Sequence, residues 1–278
     1  MNSFLARLKT RLPLGRFGWN VATLAGGTAL GQALVVLVSP LLTRLYSPTD
    51  FGGLAVYTSL LSIAVTLASL RYELAIPLPE KDTTAANLLA LSLLIVLVIS
   101  LLVGGVVWLF GAQIVAWTNA TYIGPYLWLL ALGVLGAGTY QALNYWAVRR
   151  EYFTRIAQTK LNQAIGMVAT QIGIGALVSG PLGLLAGDVV GRASGSATLA
   201  TQALRKDRQA LRSISPSQMR QAGQRYRRFP LLSSGSGLLN SAGVQLPPLL
   251  FAAFYGPQVA GWLALGNRVM TAPITLIG

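Results

Sequence analysis

Pro40-Leu-Leu-Thr-Arg-Leu-Tyr-Ser-Pro-Thr-Asp-Phe-Gly-Gly-Leu-Ala55 returns, in degraded form, as Pro248 to Ala264 near the far end of the chain. In both copies Pro-Leu-Leu closes an apolar run, and a Tyr-x-Pro turn follows (Tyr46 and Pro48; Tyr255 and Pro257). A Gly-x-Leu-Ala step then opens the next run: Gly52, Leu54 and Ala55 match Gly261, Leu263 and Ala264 once one residue is inserted. Each copy lies between long apolar segments, so the repeat marks two related halves. The second half is barely begun at Gly278, which reads as a chain truncated towards its C-terminus.

Composition sets the class. Hydrophobic residues are 54% of the 278 and charged residues only 10%, and the mean hydropathy is +0.60. A water-soluble domain of this length carries far more charge. Pro and Gly occur inside the apolar runs as well as between them, as membrane helices tolerate. With no cysteine and no histidine, disulfides, thiolate sites and imidazole chemistry are excluded, and neither a metal nor a cofactor is expected. The net charge of +14 sits in loops between apolar spans, which argues against a nucleic-acid partner.

In chain order, residues 1–19 place Arg7, Lys9, Arg11 and Arg16 around Phe4, Leu5, Leu8 and Leu12, the pattern of a short interfacial helix. Crossings are expected at Asn20 to Thr43 and at Phe51 to Leu70. Two more, of ~20 residues each, fit the uncharged stretch between Asp82 and Arg149, joined by a turn at Trp117 to Tyr122. Trp108, Trp117, Tyr122, Tyr126 and Trp128 suit an interfacial belt. The fifth span is Leu161 to Val178 and the sixth Pro181 to Leu204; Leu231 to Phe254 and Pro257 to Gly278 are the seventh and eighth. The expected organisation is an all-α polytopic membrane protein with about eight crossings. A six-helix bundle over 20–204 is followed by a basic linker, 205–229, and by the start of a second bundle, 230–278. Ser215-Pro216 in that linker has the form of a helix start.

Lys and Arg crowd the N-terminal segment and the links at 71–82, 149–160 and 205–228, while the alternate loops hold only Arg44. By the positive-inside rule the N-terminus is cytoplasmic.

Several stretches together resemble the polysaccharide and O-antigen flippases, the Wzx-type members of the multidrug/oligosaccharidyl-lipid/polysaccharide exporter superfamily. They are Leu41 to Gly52, Leu-Arg-Tyr-Glu-Leu-Ala-Ile (70–76), Asn-Tyr-Trp-Ala-Val-Arg-Arg (144–150), Gly-Asp-Val-Val-Gly-Arg (187–192), Phe-Pro-Leu (229–231) and Tyr255 to Val269. The resemblance implies two bundles of about six helices around a cavity. It also implies transport of a polyprenyl-pyrophosphate-linked oligosaccharide from the cytoplasmic to the outer leaflet of a bacterial inner membrane. Membrane lipids, a polysaccharide polymerase and a chain-length regulator are the implied partners.

An anionic head at membrane depth calls for a cation, and Arg at a helix centre costs about 2.5–3.5 kcal/mol on insertion scales. Arg192 and Arg268 both fall about 16 Å into their spans at ~1.5 Å per residue, which makes them candidates for the pyrophosphate. Asp188 precedes Arg192 by four residues, so this pair is either a structural salt bridge or a coupling element. Gly183, Gly187, Gly191 and Gly195 form a close-packing stripe beside it. Arg268 has no acid in its own half, leaving an anionic ligand or a bridge to Asp188 or Glu73. Arg71 and Glu73, at the cytoplasmic end of the second span, are either a snorkelling pair or a headgroup entry site. Arg44 and Asp50 are local caps or a pair.

A drug/cation antiporter of the same superfamily needs unpaired carboxylates, which the spans lack. A scaffold within a polysaccharide-assembly complex is the other alternative. An enzyme is disfavoured because no Asp-x-Asp occurs, and an ATP-driven pump because no Gly-Lys-Ser/Thr does. The loop charges generate a topology prediction. Single cysteines at Thr49, Asn119 and Ser179 should react with an impermeant thiol reagent added to intact cells, and those at Thr84, Thr154 and Ser213 should not; labelling at Ser213 contradicts the orientation.

Overall fold

The computed structural model describes the backbone of residues 16–277, and side chains from Ala22 to Asn267 together with Met270. No strand occurs among the described residues. The helices are α1 (Arg16–Leu45), α2 (Pro48–Thr66), α3 (Asp82–Thr118), α4 (Leu129–Arg149), α5 (Phe153–Gly175), α6 (Leu182–Lys206), α7 (Arg208–Arg212), α8 (Pro216–Arg225), α9 (Ser234–Tyr255) and α10 (Pro257–Ile277). Short 3-10 turns cover Tyr72–Ala75 and Thr121–Tyr126, and a π turn, Phe229–Ser233, leads into α9. Most of the expectation for residues 1–19 lies outside the described residues.

Ala22–Leu45, Asp82–Thr118 and Phe229–Tyr255 are long and apolar enough to cross a membrane by length and composition. The other long helices dilute their apolar runs with glycine, hydroxyl, amide and charged side chains. The chain is an all-α polytopic membrane protein. One expectation needs correction: α3 takes up 37 residues, about 55 Å at ~1.5 Å per residue, and overshoots a ~30 Å core. Nothing from Asp82 onward stops that helix until Asn119, whose left-handed backbone (φ 51°) caps it. The turn into α4 therefore occupies 119–128 rather than 117–122. Trp108, Trp117 and Trp128 are exposed, as a lipid-facing belt requires, whereas Tyr122 and Tyr126 are half-buried.

The repeated turn explains itself locally. Ser47 caps α2: its backbone N–H and hydroxyl donate to Asp50 Oδ2 at 2.9 and 2.7 Å, and the Asp50 N–H donates back to Ser47 Oγ. This capping box, with Pro48 in the first turn, starts the helix abruptly. Asp50 is thus a cap. In the second copy Gly256 (φ 84°) turns the chain and Pro257 opens α10.

The two copies meet each other. A side chain at Gly52 would run into the carbonyl oxygen of Pro257, and one at Gly261 into the carbonyl oxygen of Pro48. The first turns of α2 and α10 therefore cross backbone to backbone, reciprocally, through positions that correspond in the repeat. Within the first half α5 and α6 pack along the glycine stripe. Gly187 and Gly191 admit Gln171 and Met167 of α5, and Gly195 admits the Tyr140 ring and Thr159.

At the end carrying the basic links, Arg149 bonds Asp82 at 2.8 Å, and Arg150 bridges Asp82 (2.6 Å) to Asp207 (2.8 Å). The fully buried Asp207 carboxylate also accepts from Trp146 Nε1 (2.9 Å) and from the Tyr152 hydroxyl (3.1 Å). The linker helix begins at Pro216 under a Ser215 cap. Asn87 of α3 holds it, donating to Gln218 Oε1 at 3.0 Å and accepting from the Ser215 N–H at 3.0 Å.

Because the crossing leaves no room for a methyl group, Gly52→Ala and Gly261→Ala should each cost about 1–3 kcal/mol. Thermal unfolding in detergent reads this, with Gly243→Ala, which meets no neighbour, as the unchanged reference. Equal midpoints for all three contradict the crossing.

Candidate functional site

A cavity of about 610 Å³ opens between α1, α2, α4, α5 and α6, a volume within the range of about 300–1,000 Å³ typical of ligand sites. Its wall includes Val65 at the end of α2, Asn144 and Tyr145 just before Arg149, and Lys160 at the start of α5. The cavity thus lies in the half of the bundle nearer the basic links, while the α2–α10 crossing closes the other end of α2.

Asp188 and Arg192 both line it. Arg192 Nε donates to Asp188 Oδ2 at 2.7 Å across one helical turn, and both side chains are mostly buried. Among the described residues Nη1 and Nη2 of Arg192 have no partner, so a salt bridge and a ligand contact are compatible in one guanidinium. Beside Arg192 the glycine stripe of α6 packs closely on α5, through Gly187 against Gln171 and Gly191 against Met167.

Lys160 is the second cation in the wall, 5.2 Å from the centroid of the Tyr140 ring. By sequence it belongs with the basic link at 149–160. Helix α5, however, starts at Phe153 and carries it about two turns inward. The signal available was its separation from Arg155 and its contiguity with the apolar run from Leu161. Sequence reasoning also passed over the amides Gln32, Gln141, Asn144 and Gln163, which line the same space. Lys160 and Arg192 against Asp188 leave the wall one positive charge in excess.

Arg71 and Glu73 do not form the expected pair. Leu70 and Arg71 both take left-handed backbone (φ 49° and 63°) after the end of α2, and the twist sends the two side chains to different neighbours. Glu73 is buried; it accepts from the Ser69 hydroxyl and, at 3.1 Å, from Nε2 of Gln141, so it stands directly behind the cavity wall. Arg71 lies outside the wall, its guanidinium laid on the backbone of Gly237 in α9, with Nε buried and unpartnered. The side chain of Arg268 lies outside the described residues. Of the five residues singled out by sequence, the structure brings Asp188 and Arg192 into the cavity and sets Glu73 behind it.

A second, smaller cavity of about 210 Å³ lies between α2, α9 and α10. Its polar edge is closed by the contact of Ser59 Oγ with Gln245 Oε1 at 3.2 Å.

Comparison with protein-family models gives a match over residues 41–278 to the family described as polysaccharide biosynthesis protein. Neither the curated proteins nor the solved structures contain a match.

Glu73 sits in the link between α2 and α3, outside the spanning helices. Burial pushes its carboxyl above the usual carboxylate range, with the Ser69 hydrogen bond and the Arg71 charge opposing in part. The folded chain thus binds this proton more tightly than the unfolded one, so stability falls as pH rises from the ordinary carboxylate pKa through the raised one. Glu73→Gln, which keeps an oxygen to accept from Gln141 and offers an amide N–H that the Ser69 hydroxyl can accept, should be at least as stable as wild type just above the ordinary carboxylate range. It should also flatten the melting-temperature profile on the alkaline side of the ordinary carboxylate pKa of about 4. A parallel profile at lower stability contradicts a raised Glu73 carboxyl.

Proposed function

The chain belongs to the polysaccharide biosynthesis protein family, and on that premise we propose that it is a flippase of the Wzx type within the multidrug/oligosaccharidyl-lipid/polysaccharide exporter superfamily. Its cargo is a polyprenyl-pyrophosphate-linked oligosaccharide, turned from the cytoplasmic to the outer leaflet of the bacterial inner membrane for cell-surface polysaccharide. The observation that carries this reading is the cavity with a net positive wall, formed by Lys160 and by Arg192 with Asp188, inside an otherwise nearly uncharged bundle. A charge at membrane depth is costly and marks a functional site by default. A diphosphate is the ligand chemistry that repays two cations of which one still has free donors.

In the orientation set by the loop charges, with the N-terminus cytoplasmic, the cavity occupies the cytoplasmic half and the α2–α10 crossing the outer half. That is the arrangement in which a headgroup enters from the side where lipid-linked sugars are made. The task is transport, with no bond made or broken by the protein. A polymerase and a chain-length regulator are the partners this task requires next. A drug/cation antiporter fits less well: among the described residues the one carboxylate in the cavity wall, Asp188, is tied to Arg192. A scaffold has no use for a charged cavity.

The test is export in a flippase-deficient cell, read as lipid-linked sugar on the outer face together with protein abundance. Lys160→Ala, and Arg192→Ala made together with Asp188→Asn so that no carboxylate is stranded, should each lower export by roughly tenfold or more at normal abundance, the worth of a charge-assisted hydrogen bond. Arg192→Lys should be intermediate, because a point charge still attracts phosphate but loses the fork. Arg268→Ala belongs in the same series as the second mid-span cation. Wild-type export by both Lys160→Ala and the Asp188→Asn, Arg192→Ala double variant at normal abundance refutes the proposal.

A further inference from the structure

Four side-chain amides line the cavity besides its charges: Gln32 from α1, Gln141 and Asn144 from α4, and Gln163 from α5. Two are partly committed through their nitrogens. Gln141 Nε2 donates to Glu73 Oε1 at 3.1 Å, and Gln163 Nε2 to the Arg192 carbonyl at 3.4 Å. The other two, Gln32 and Asn144, make no hydrogen bond among the described residues, and Asn144 Oδ1 is buried without a partner. Buried polar atoms left unsatisfied in this way are uncommon and call for an explanation.

The chemistry of the vacant partners is selective. At neutral pH a diphosphate offers acceptors and no donors, and a prenyl chain offers neither. An amide that presents its oxygen asks for an O–H or N–H, and a hydroxyl can serve either end of an amide. Gln141 and Asn144 are three residues apart on α4 and share a face, with Tyr145 beside them in the wall. One surface thus combines side-chain amides with a tyrosine, the equipment that recognises a neutral polyhydroxylated ring.

We infer that the face formed by Gln32, Gln141 and Asn144 is a subsite for the sugar unit next to the diphosphate. The inference rests on the reading of this cavity as the site of a lipid-linked glycan and assigns its two parts. Lys160 and Arg192 take the diphosphate; the amides take the first sugar. The consequence is a check on loading. A site built to hydrogen-bond hydroxyls rejects an analogue that lacks them, because its own polar atoms are then left unpaired. Bare carrier is therefore disfavoured, and the reaction that supplies the substrate belongs to the class that transfers a sugar 1-phosphate from a nucleoside-diphosphate sugar onto carrier phosphate at the cytoplasmic face, forming the new diphosphate linkage as nucleoside monophosphate leaves.

The experiment titrates the purified full chain in detergent with a short-chain prenyl diphosphate and with the same compound carrying one neutral hexose. The wild type should prefer the glycosylated ligand by roughly tenfold or more. Asn144→Leu should bring the ratio of the two affinities close to unity, and Gln32→Leu, on a different helix, should do the same if Asn144→Leu fails to accumulate. Lys160→Ala should weaken both ligands and keep their ratio. No preference in the wild type, or an intact preference in both leucine variants, overturns the subsite. Failure of the wild type to bind either ligand overturns the transport reading itself and the subsite with it.

Discussion

The backbone-to-backbone crossing of α2 and α10 is the contact that brings the two copies of the repeated turn together. In lipid no hydrophobic force draws helices together, because the tails are as apolar as the side chains, so close approach depends on small residues. Gly52 and Gly261 provide it, each against the carbonyl of the proline that opens the partner helix. Since Pro48 corresponds to Pro257 and Gly52 to Gly261 in the repeat, the contact is self-complementary in the way of a two-fold interface. It also has a functional consequence. Helix α2 is clamped at its first turn and reaches the cavity only at its last, through Val65. The α2–α10 crossing and the cavity thus lie at the two ends of one helix.

The few acids are placed with equal economy. Asp50 is spent on a helix cap. Asp82 and Asp207 gather Arg149, Arg150, Trp146 and Tyr152 into a charged knot at the basic end. A buried carboxylate is tolerable there because every partner supplies a hydrogen bond, whereas breaking one side would strand a charge. Asp188 moderates Arg192 and Glu73 supports Gln141. The large positive excess is carried outside this framework, by exposed arginines from Arg205 to Arg228, where it biases orientation and draws anionic lipid.

The stretches that suggest the family divide by what they do. In Asn144 to Arg150, Trp146, Arg149 and Arg150 build the knot and only Asn144 and Tyr145 reach the cavity. In Gly187 to Arg192 the glycines admit α5 and the charged residues between them face the cavity. In Leu70 to Ile76 the left-handed pair at Leu70 and Arg71 splits neighbouring charges between two surroundings.

By itself the sequence determined the class, the all-helical architecture and the helix starts at Ser47 and Ser215. These follow from apolar length, charge scarcity and capping chemistry, all of them local. It also placed Asp188 next to Arg192, because i,i+4 spacing settles that contact without any neighbour. Only the tertiary structure decided that Lys160 faces the cavity, that Arg71 does not, and that Gln32 and Asn144 meet there. Depth along a helix can be counted from a turn, but the direction a residue faces cannot. In a membrane bundle the lipid side and the packed side are both apolar, so periodicity marks them weakly. A left-handed backbone at a non-glycine residue such as Arg71 leaves no signature in composition. The end of α3 near Trp117 is legible from the turn sequence, but the later start of α4 at Leu129 is not, because the 3-10 turn Thr121–Tyr126 between them carries no charge to set it apart from the helices it joins.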